Sequence, residues 1–321
     1  MNRGGHVDPL PVICLAGPTG AGKTALALRI AQKLDCEIVN ADSRQLYADF
    51  PIITAQPTEH EQAKVAHHLY GFLPTHVRAS AGQWAREALQ SCRDILKRGH
   101  IPLLVGGTGF YFDTILCGLA DIPAIDAAIS HDLAVQIKTY GPDRLHARLL
   151  KVDPDFASRI HPHDRQRVQR GLEVYLGTGK SLSWWHKEAR RKPPATGPLF
   201  VTGASLNWLT PRLKARIDMM LEQGAIEEAK AARARNADAT SPGWSSIGCA
   251  ELLAMLNGDT DLECCKTIWL ANTRAYAKRQ LTWFRGRKNA IWLDTRDLPG
   301  ALDTICRHEK MLFPMQAPQV S

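Results

Sequence analysis

No run of this sequence is apolar for long enough to cross a bilayer: stretches such as 12–16 and 103–105 fall far short of the roughly 20 residues a membrane helix needs. The first eleven residues carry one arginine and no apolar run of signal-peptide length, so a cytoplasmic protein with no membrane attachment is expected. Eight cysteines are scattered with no CxxC pair among them, which argues for reduced thiols and against a zinc or disulfide framework. Low-complexity tracts and internal repeats are lacking too, and with 45% hydrophobic and 22% charged residues, disorder and fibrous architectures are excluded. Acidic residues are the scarcer sign, 32 against 40 basic ones, a net +8 over 321 residues. That excess fits a polyanionic partner without requiring one.

What is present first is an alternation of strands and helices. Residues 12–16 form a short apolar run suited to a buried parallel strand, and 23–34 carry apolar residues at Leu26, Ala27, Ile30, Ala31 and Leu34, a helical spacing. Further strands are expected at 36–40, 102–105, 198–205 and 290–293, with helices over about 211–234 and 264–285. Between 120 and 194 the strand signal gives way to short helical stretches punctuated by Gly141-Pro142, Asp153-Pro154 and His161-Pro162. The expected architecture is α/β: a P-loop NTPase-like parallel-sheet core (1–120 and 197–321) with an all-helical insertion (121–196).

Between the first strand and helix lies Gly17-Pro18-Thr19-Gly20-Ala21-Gly22-Lys23-Thr24, a complete Walker A pattern in its required context. The glycines let backbone N–H groups turn inward around phosphate oxygens, the helix N-terminus adds its dipole, and Lys23 adds a point charge. The Thr24 hydroxyl is the candidate ligand for Mg²⁺. An ordinary NTPase also needs an acid ending an apolar strand, and here the 102–105 strand ends in Gly106-Gly107-Thr108 instead. The loop alone thus predicts nucleotide or diphosphate binding and leaves a small-molecule kinase open.

Two polar clusters sit at carboxyl ends of strands, where open α/β sheets place ligands. One is Asp42-Ser43-Arg44-Gln45, with Asp42 able to accept a proton or cap a helix. The other contains Thr108, whose hydroxyl could meet a phosphate or a base or merely cap a turn. His67-His68 stands without a carboxylate or cysteine cluster and reads as local hydrogen bonding; Trp184-Trp185 reads as packing. From Lys266 to Lys288 there are seven Lys/Arg and no acid, interleaved with Trp269, Tyr276, Trp283 and Phe284, the pattern of a surface that tracks a nucleic-acid backbone. A second basic group comprises Arg159, Arg165, Arg167 and Arg170.

With these residues in view the sequence resembles the tRNA dimethylallyltransferase (isopentenyl-tRNA transferase) family, over nearly its whole length. The blocks that carry the resemblance are the phosphate loop, Asn40-Ala41-Asp42-Ser43-Arg44-Gln45-Leu46-Tyr47, Thr54-Ala55-Gln56-Pro57, His67-His68-Leu69 and the 102–112 segment. Then come Ile160-His161-Pro162-His163-Asp164, Arg170-Gly171-Leu172-Glu173-Val174, Thr273-Arg274 and the 277–285 segment. The family usually has Gly at Ile53 and Lys at Gln56, and an IGYKEL-like stretch reads Ile247-Gly248-Cys249-Ala250-Glu251-Leu252 here. The tail has only Cys306 and His308 to offer a zinc module, so the bacterial type is implied.

The resemblance implies transfer of a dimethylallyl group from dimethylallyl diphosphate, with Mg²⁺, to N6 of the adenosine just 3′ of the anticodon in tRNAs reading codons that begin with U. The enzyme is expected to be a monomer. Asp42, Thr108 and Lys23 are then the expected catalytic residues, and Arg212 and Arg216 join the loop in holding the diphosphate. For tRNA the expected contacts are Asp42, Ser43, Arg44 and Gln45, then Gln166, Arg167, Val168, Gln169 and Arg170. Ser246, Ile247 and Gly248 follow, and last Lys278, Arg279, Gln280, Trp283 and Arg285.

Overall fold

The computed structural model describes residues 8–188 and 192–313. Eight short strands run through it: β1 (Leu10–Pro11), β2 (Ile13–Ala16), β3 (Cys36–Asn40), β4 (His67–His68), β5 (Ile101–Gly106), β6 (Ala195–Thr196), β7 (Leu199–Gly203) and β8 (Ala290–Asp294). Six of them form a parallel sheet in the order β4-β3-β5-β2-β7-β8, and β1 pairs with β6 alone. Both faces of the sheet are covered, which is why its strands read as continuous apolar runs. Cys14 and Ala16 join the core with Trp84, Phe112 and Phe284, while Ile13 and Leu15 join Leu26, Ile30 and Ile305 on the other side.

The chain forms two compact units, residues 1–117 with 193–321, and Gly118–Lys192. The second contains only helices among its described elements, with a core of Leu133, Ile137, Leu145, Leu149, Val168 and Leu172. Ala195–Thr196, assigned to the insertion on sequence, is a strand of the first unit: two residues of small side chain give no period to read. The helix expected over 211–234 is two, Leu206–Glu222 and Ala225–Arg235, broken at Gly224 with φ 100°. The first opens on Ser205, whose hydroxyl accepts from the Trp208 amide, and carries Pro211 inside it. Among the described residues no helix is long and apolar enough to cross a membrane.

Candidate active site

The phosphate loop leaves β2 at its carboxyl end and enters the helix Lys23–Leu34. Gly20 and Gly22 take φ of 79° and 81°, values that side chains resist, and so turn successive amides the same way. The helix has no side-chain cap and no acid in its first turn, so its free amides face the cavity unopposed. Lys23 Nζ donates to the carbonyls of Gly17 (3.0 Å) and Pro18 (2.8 Å). Burial lowers its pKa to about 8, against the pull of the Asp42 carboxylate and with the help of Arg216.

This loop forms one end of a cavity of about 670 Å³ within the first unit, lined also by Thr24, Asp42, Arg44, Arg212 and Arg216. Arg212 and Arg216, four apart on one helix, both reach it. Arg212 lies 3.9 Å over the Trp208 ring, and burial depresses the Arg216 pKa while Asp42 works to restore it. Four cationic side chains, Lys23, Arg44, Arg212 and Arg216, therefore share a single space with the carboxylates of Asp42 and Glu61.

Asp42 follows β3 and is held by its neighbours. Buried Asn40 spends its whole carboxamide on this turn: Oδ1 accepts from the Asp42 amide (2.8 Å), and Nδ2 donates to the carbonyls of Asp42 (3.1 Å) and Leu69 (3.0 Å). The Asn40 carbonyl in turn accepts from Trp84 Nε1 at 2.8 Å. Asp42 Oδ1 takes the Arg44 amide at 3.0 Å, so the carboxylate closes a turn and caps no helix. Thr108 stands at the N-terminus of the helix Gly109–Leu116 without capping it. Its hydroxyl accepts from the Ser43 amide (2.9 Å), donates to the Ser43 hydroxyl (3.2 Å) and meets the Tyr276 phenol. The two strand-end clusters are thereby tied together.

Several expected contact residues turn inward. Gln280 is 4% exposed and bonds Thr19 and Gly107, and Val168 is fully buried in the second unit, so neither side chain lies on an outer surface. Trp283 packs its ring on Gly109, where a β-carbon would stand 2.1 Å from it. Arg44 reaches the carbonyl of Ser245 at 3.2 Å, and Gln45 donates to the Thr54 and Ala55 carbonyls. Ser246 and Gly248 are buried and Ile247 lines the cavity. Ile53, also in the lining, packs with Trp269 on Gly248. Gln56 donates to the Tyr47 carbonyl at 2.8 Å. His67 and His68 bond the Val65 carbonyl and Glu37, in keeping with local hydrogen bonding.

Outward-facing are Lys278, Arg279 and Arg285 on the helix Leu262–Arg285, and Arg165, Gln166, Arg167 and Arg170 on the helix Arg165–Thr178. The charge of 266–288 is partly cancelled, a correction to the sequence count: Lys266 pairs with Asp218 at 3.0 Å and Arg287 with Asp113. Arg167 and Arg170 likewise pair with Asp164 and Glu173. Tyr70, in the cavity lining, was not singled out on sequence; Trp269 and Tyr276, expected as aromatics of an RNA-tracking surface, line the cavity instead, and Asn40 entered only within its block.

A phosphate loop on the carboxyl edge of a parallel sheet, facing a carboxylate with no acid at the neighbouring strand end, defines a P-loop α/β enzyme of a group-transfer kind. The family model described as IPP transferase matches residues 45–287. The chain belongs to that family, whose tRNA dimethylallyltransferase branch it resembles throughout. It is 58% identical over 307 residues to the tRNA dimethylallyltransferase of Desulfovibrio desulfuricans, covering 96% of this chain and 94% of the relative. Among solved structures it is similar to the full-length tRNA isopentenylpyrophosphate transferase of Bacillus halodurans, with TM-score 0.69 and 30% identity over 96% of this chain and 99% of the other. A eukaryotic dimethylallyltransferase acting on tRNA matches with TM-score 0.76 and 30% identity, over 97% of this chain and 81% of the other.

The depressed pKa of Lys23 gives a pH dependence of known sign. The ammonium is charged below about 8 and neutral above it, so affinity of the free protein for inorganic diphosphate should weaken as pH rises through that value. Calorimetric titration across this range checks it; a flat profile would remove Lys23 from diphosphate binding.

Proposed function

We propose that this enzyme transfers the dimethylallyl group of dimethylallyl diphosphate to N6 of the adenosine immediately 3′ of the anticodon, in cytoplasmic tRNAs reading codons that begin with U. The observation that supports the reading is that one cavity is lined by Lys23, Arg216 and the phosphate loop together with Asp42, groups suited to holding a diphosphate and to accepting a proton. The reaction needs both. The C1–O bond of the donor breaks with its electron pair going to diphosphate, and Lys23 and Arg216 neutralise the charge that develops there. The amine N6 bonds to C1, and its proton passes to Asp42 as the C–N bond forms, since an adenine amine is too weakly basic to be held protonated. Thr108, fixed by Ser43 and Tyr276, orients the base edge.

Mg²⁺ fits this donor set in one way only. Among the described residues no group of three His, Cys, Asp or Glu side chains is gathered as for a metal cage. Thr24 and Asp42 do line the cavity beside Lys23, and Mg²⁺ is ordinarily held by one or two protein oxygens together with substrate phosphates and waters. Thr24 is the residue that would hold it, and when bound it would stabilise the leaving diphosphate.

The acceptor adenosine is stacked in an anticodon loop, so reaching Asp42 requires its extrusion, a cost of a few kcal/mol that contacts to the RNA backbone must offset. Lys278, Arg279, Arg285 and Lys288 are exposed and make no salt bridge among the described residues. At about 0.7–0.9 per phosphate contact, these four should give log K a salt slope of roughly −3. Filter binding over a salt series measures it, and a flat titration would remove this helix from RNA binding. The function itself is tested by nucleoside analysis of tRNA incubated with the protein, Mg²⁺ and dimethylallyl diphosphate. N6-(dimethylallyl)adenosine is the expected product; unmodified tRNA with prenylated AMP would overturn the choice of acceptor.

A further inference from the structure

We propose that Gln280 is a positioning residue that sets the distance between the diphosphate site and the acceptor site, and so keeps the allylic carbon on N6 and away from water. This rests on the function proposed above. The two sites grow from adjacent strands, β2 and β5, whose last paired residues are Ala16 and Gly106. Beyond that pair the ladder ends, and the phosphate loop and the Gly107-Thr108 turn go separate ways. Gln280, from the distant helix Leu262–Arg285, joins them there: its Oε1 accepts from the Thr19 amide and its Nε2 donates to the Gly107 carbonyl, each at 2.9 Å.

The side chain and its bond to Gly107 are buried and the bond to Thr19 partly so, and the two fix its orientation. Turning the carboxamide over would set N–H against N–H and oxygen against oxygen, two mismatched contacts, the one at Gly107 away from solvent. The approach is also close enough to dictate the sequence of the turn. A β-carbon at Gly107 would stand 2.0 Å from Gln280 Nε2 and 3.0 Å from Asp42 Oδ2, so glycine at 107 is what admits the crosslink beside the carboxylate. Gln280 touches neither reactant in this arrangement; it acts through Thr19 on the donor side and through Gly107 and Thr108 on the acceptor side.

Its loss should therefore be seen in alignment more than in binding. A displacement of about 1 Å costs on the order of 10²-fold in rate when two reactants must meet in line. A donor ionised or attacked without N6 in place is open to water: the C1–O bond breaks, the water oxygen bonds to C1, a proton leaves to solvent, and dimethylallyl alcohol and diphosphate are released.

The test compares wild type with Gln280→Ala and Gln280→Glu, using full-length protein, tRNA, Mg²⁺ and labelled dimethylallyl diphosphate. Gln280→Glu keeps the acceptor for Thr19 but sets a carboxylate against the Gly107 carbonyl. Expected are a kcat for transfer lowered about 10²-fold in Gln280→Ala with KM for both substrates nearly kept, and a rise in alcohol released per modified nucleoside in both variants. That ratio does not depend on how much of the protein is folded, which separates positioning from a general loss of stability. An unchanged ratio, or a loss confined to KM for tRNA as a direct RNA contact would give, overturns the proposal. Wild type that leaves tRNA unmodified overturns the function on which it rests.

Discussion

Asp42→Ala is expected to slow dimethylallyl transfer by about 10²–10⁴-fold, the range a positioned general base supplies, while tRNA binding is retained. The carboxylate lies in the cavity and the exposed cations lie elsewhere, so removing it should not disturb the contacts that hold the RNA backbone. Its position is defended by Asn40, two of whose three hydrogen bonds hold the Asp42 backbone whatever side chain follows while the third anchors Asn40 to Leu69, and this keeps the substitution local. Asp42→Asn divides the role further. An amide oxygen still receives the N6 hydrogen bond but takes no proton, so a rate close to that of Asp42→Ala would identify proton transfer as the larger share. Single-turnover transfer of labelled prenyl group, alongside filter binding, reads both. Full turnover by Asp42→Ala would take Asp42 out of the mechanism.

Lys23→Ala should cost about 10²–10³-fold in kcat, corresponding to about 3–4 kcal/mol for one preorganised donor at the site of developing charge, and should raise KM for the diphosphate as well. The ammonium sits within 3.0 Å of two loop carbonyls, so its position is set before the donor arrives. Lys23→Arg is not expected to rescue the rate: the guanidinium is larger and planar, and it cannot occupy a point between Gly17 and Pro18 that a compact ammonium fills. Steady-state kinetics with RNA saturating separates the two parameters. A Lys23→Ala enzyme with only KM changed would make Lys23 a binding residue and no more.

How much of this was legible in the sequence depends on how far apart the cooperating residues lie. The phosphate loop is contiguous, and its glycines, lysine and threonine announce their chemistry in eight letters. The parallel core followed from apolar runs that both faces of the sheet bury. Gln280 was expected to touch tRNA, and its crosslink stayed hidden because its partners are 261 and 173 residues away and no local period marks a carboxamide as crosslink instead of surface. Val168 was readable and was missed: Val168 and Leu172 stand four apart on one helix and share the same core. The cancellation of Lys266 by Asp218, and of Arg287 by Asp113, likewise joins segments that only folding brings together.

The helix Leu262–Arg285 presents Trp269, Thr273 and Tyr276 to the cavity, and Gln280 to its loops, at intervals of four, three and four, while Lys278 and Arg285 are exposed and Arg279, also exposed, leans over the Tyr276 ring. Two duties are thus written on one cylinder, distinguished only by angle. A substitution on either side disturbs one duty only, but inserting or deleting one residue near Ala271 would turn everything beyond it by about 100°. The inner glutamine would leave the loops it joins and the outer cations would change direction with it, so a change of length here alters both duties together where a change of letter alters one.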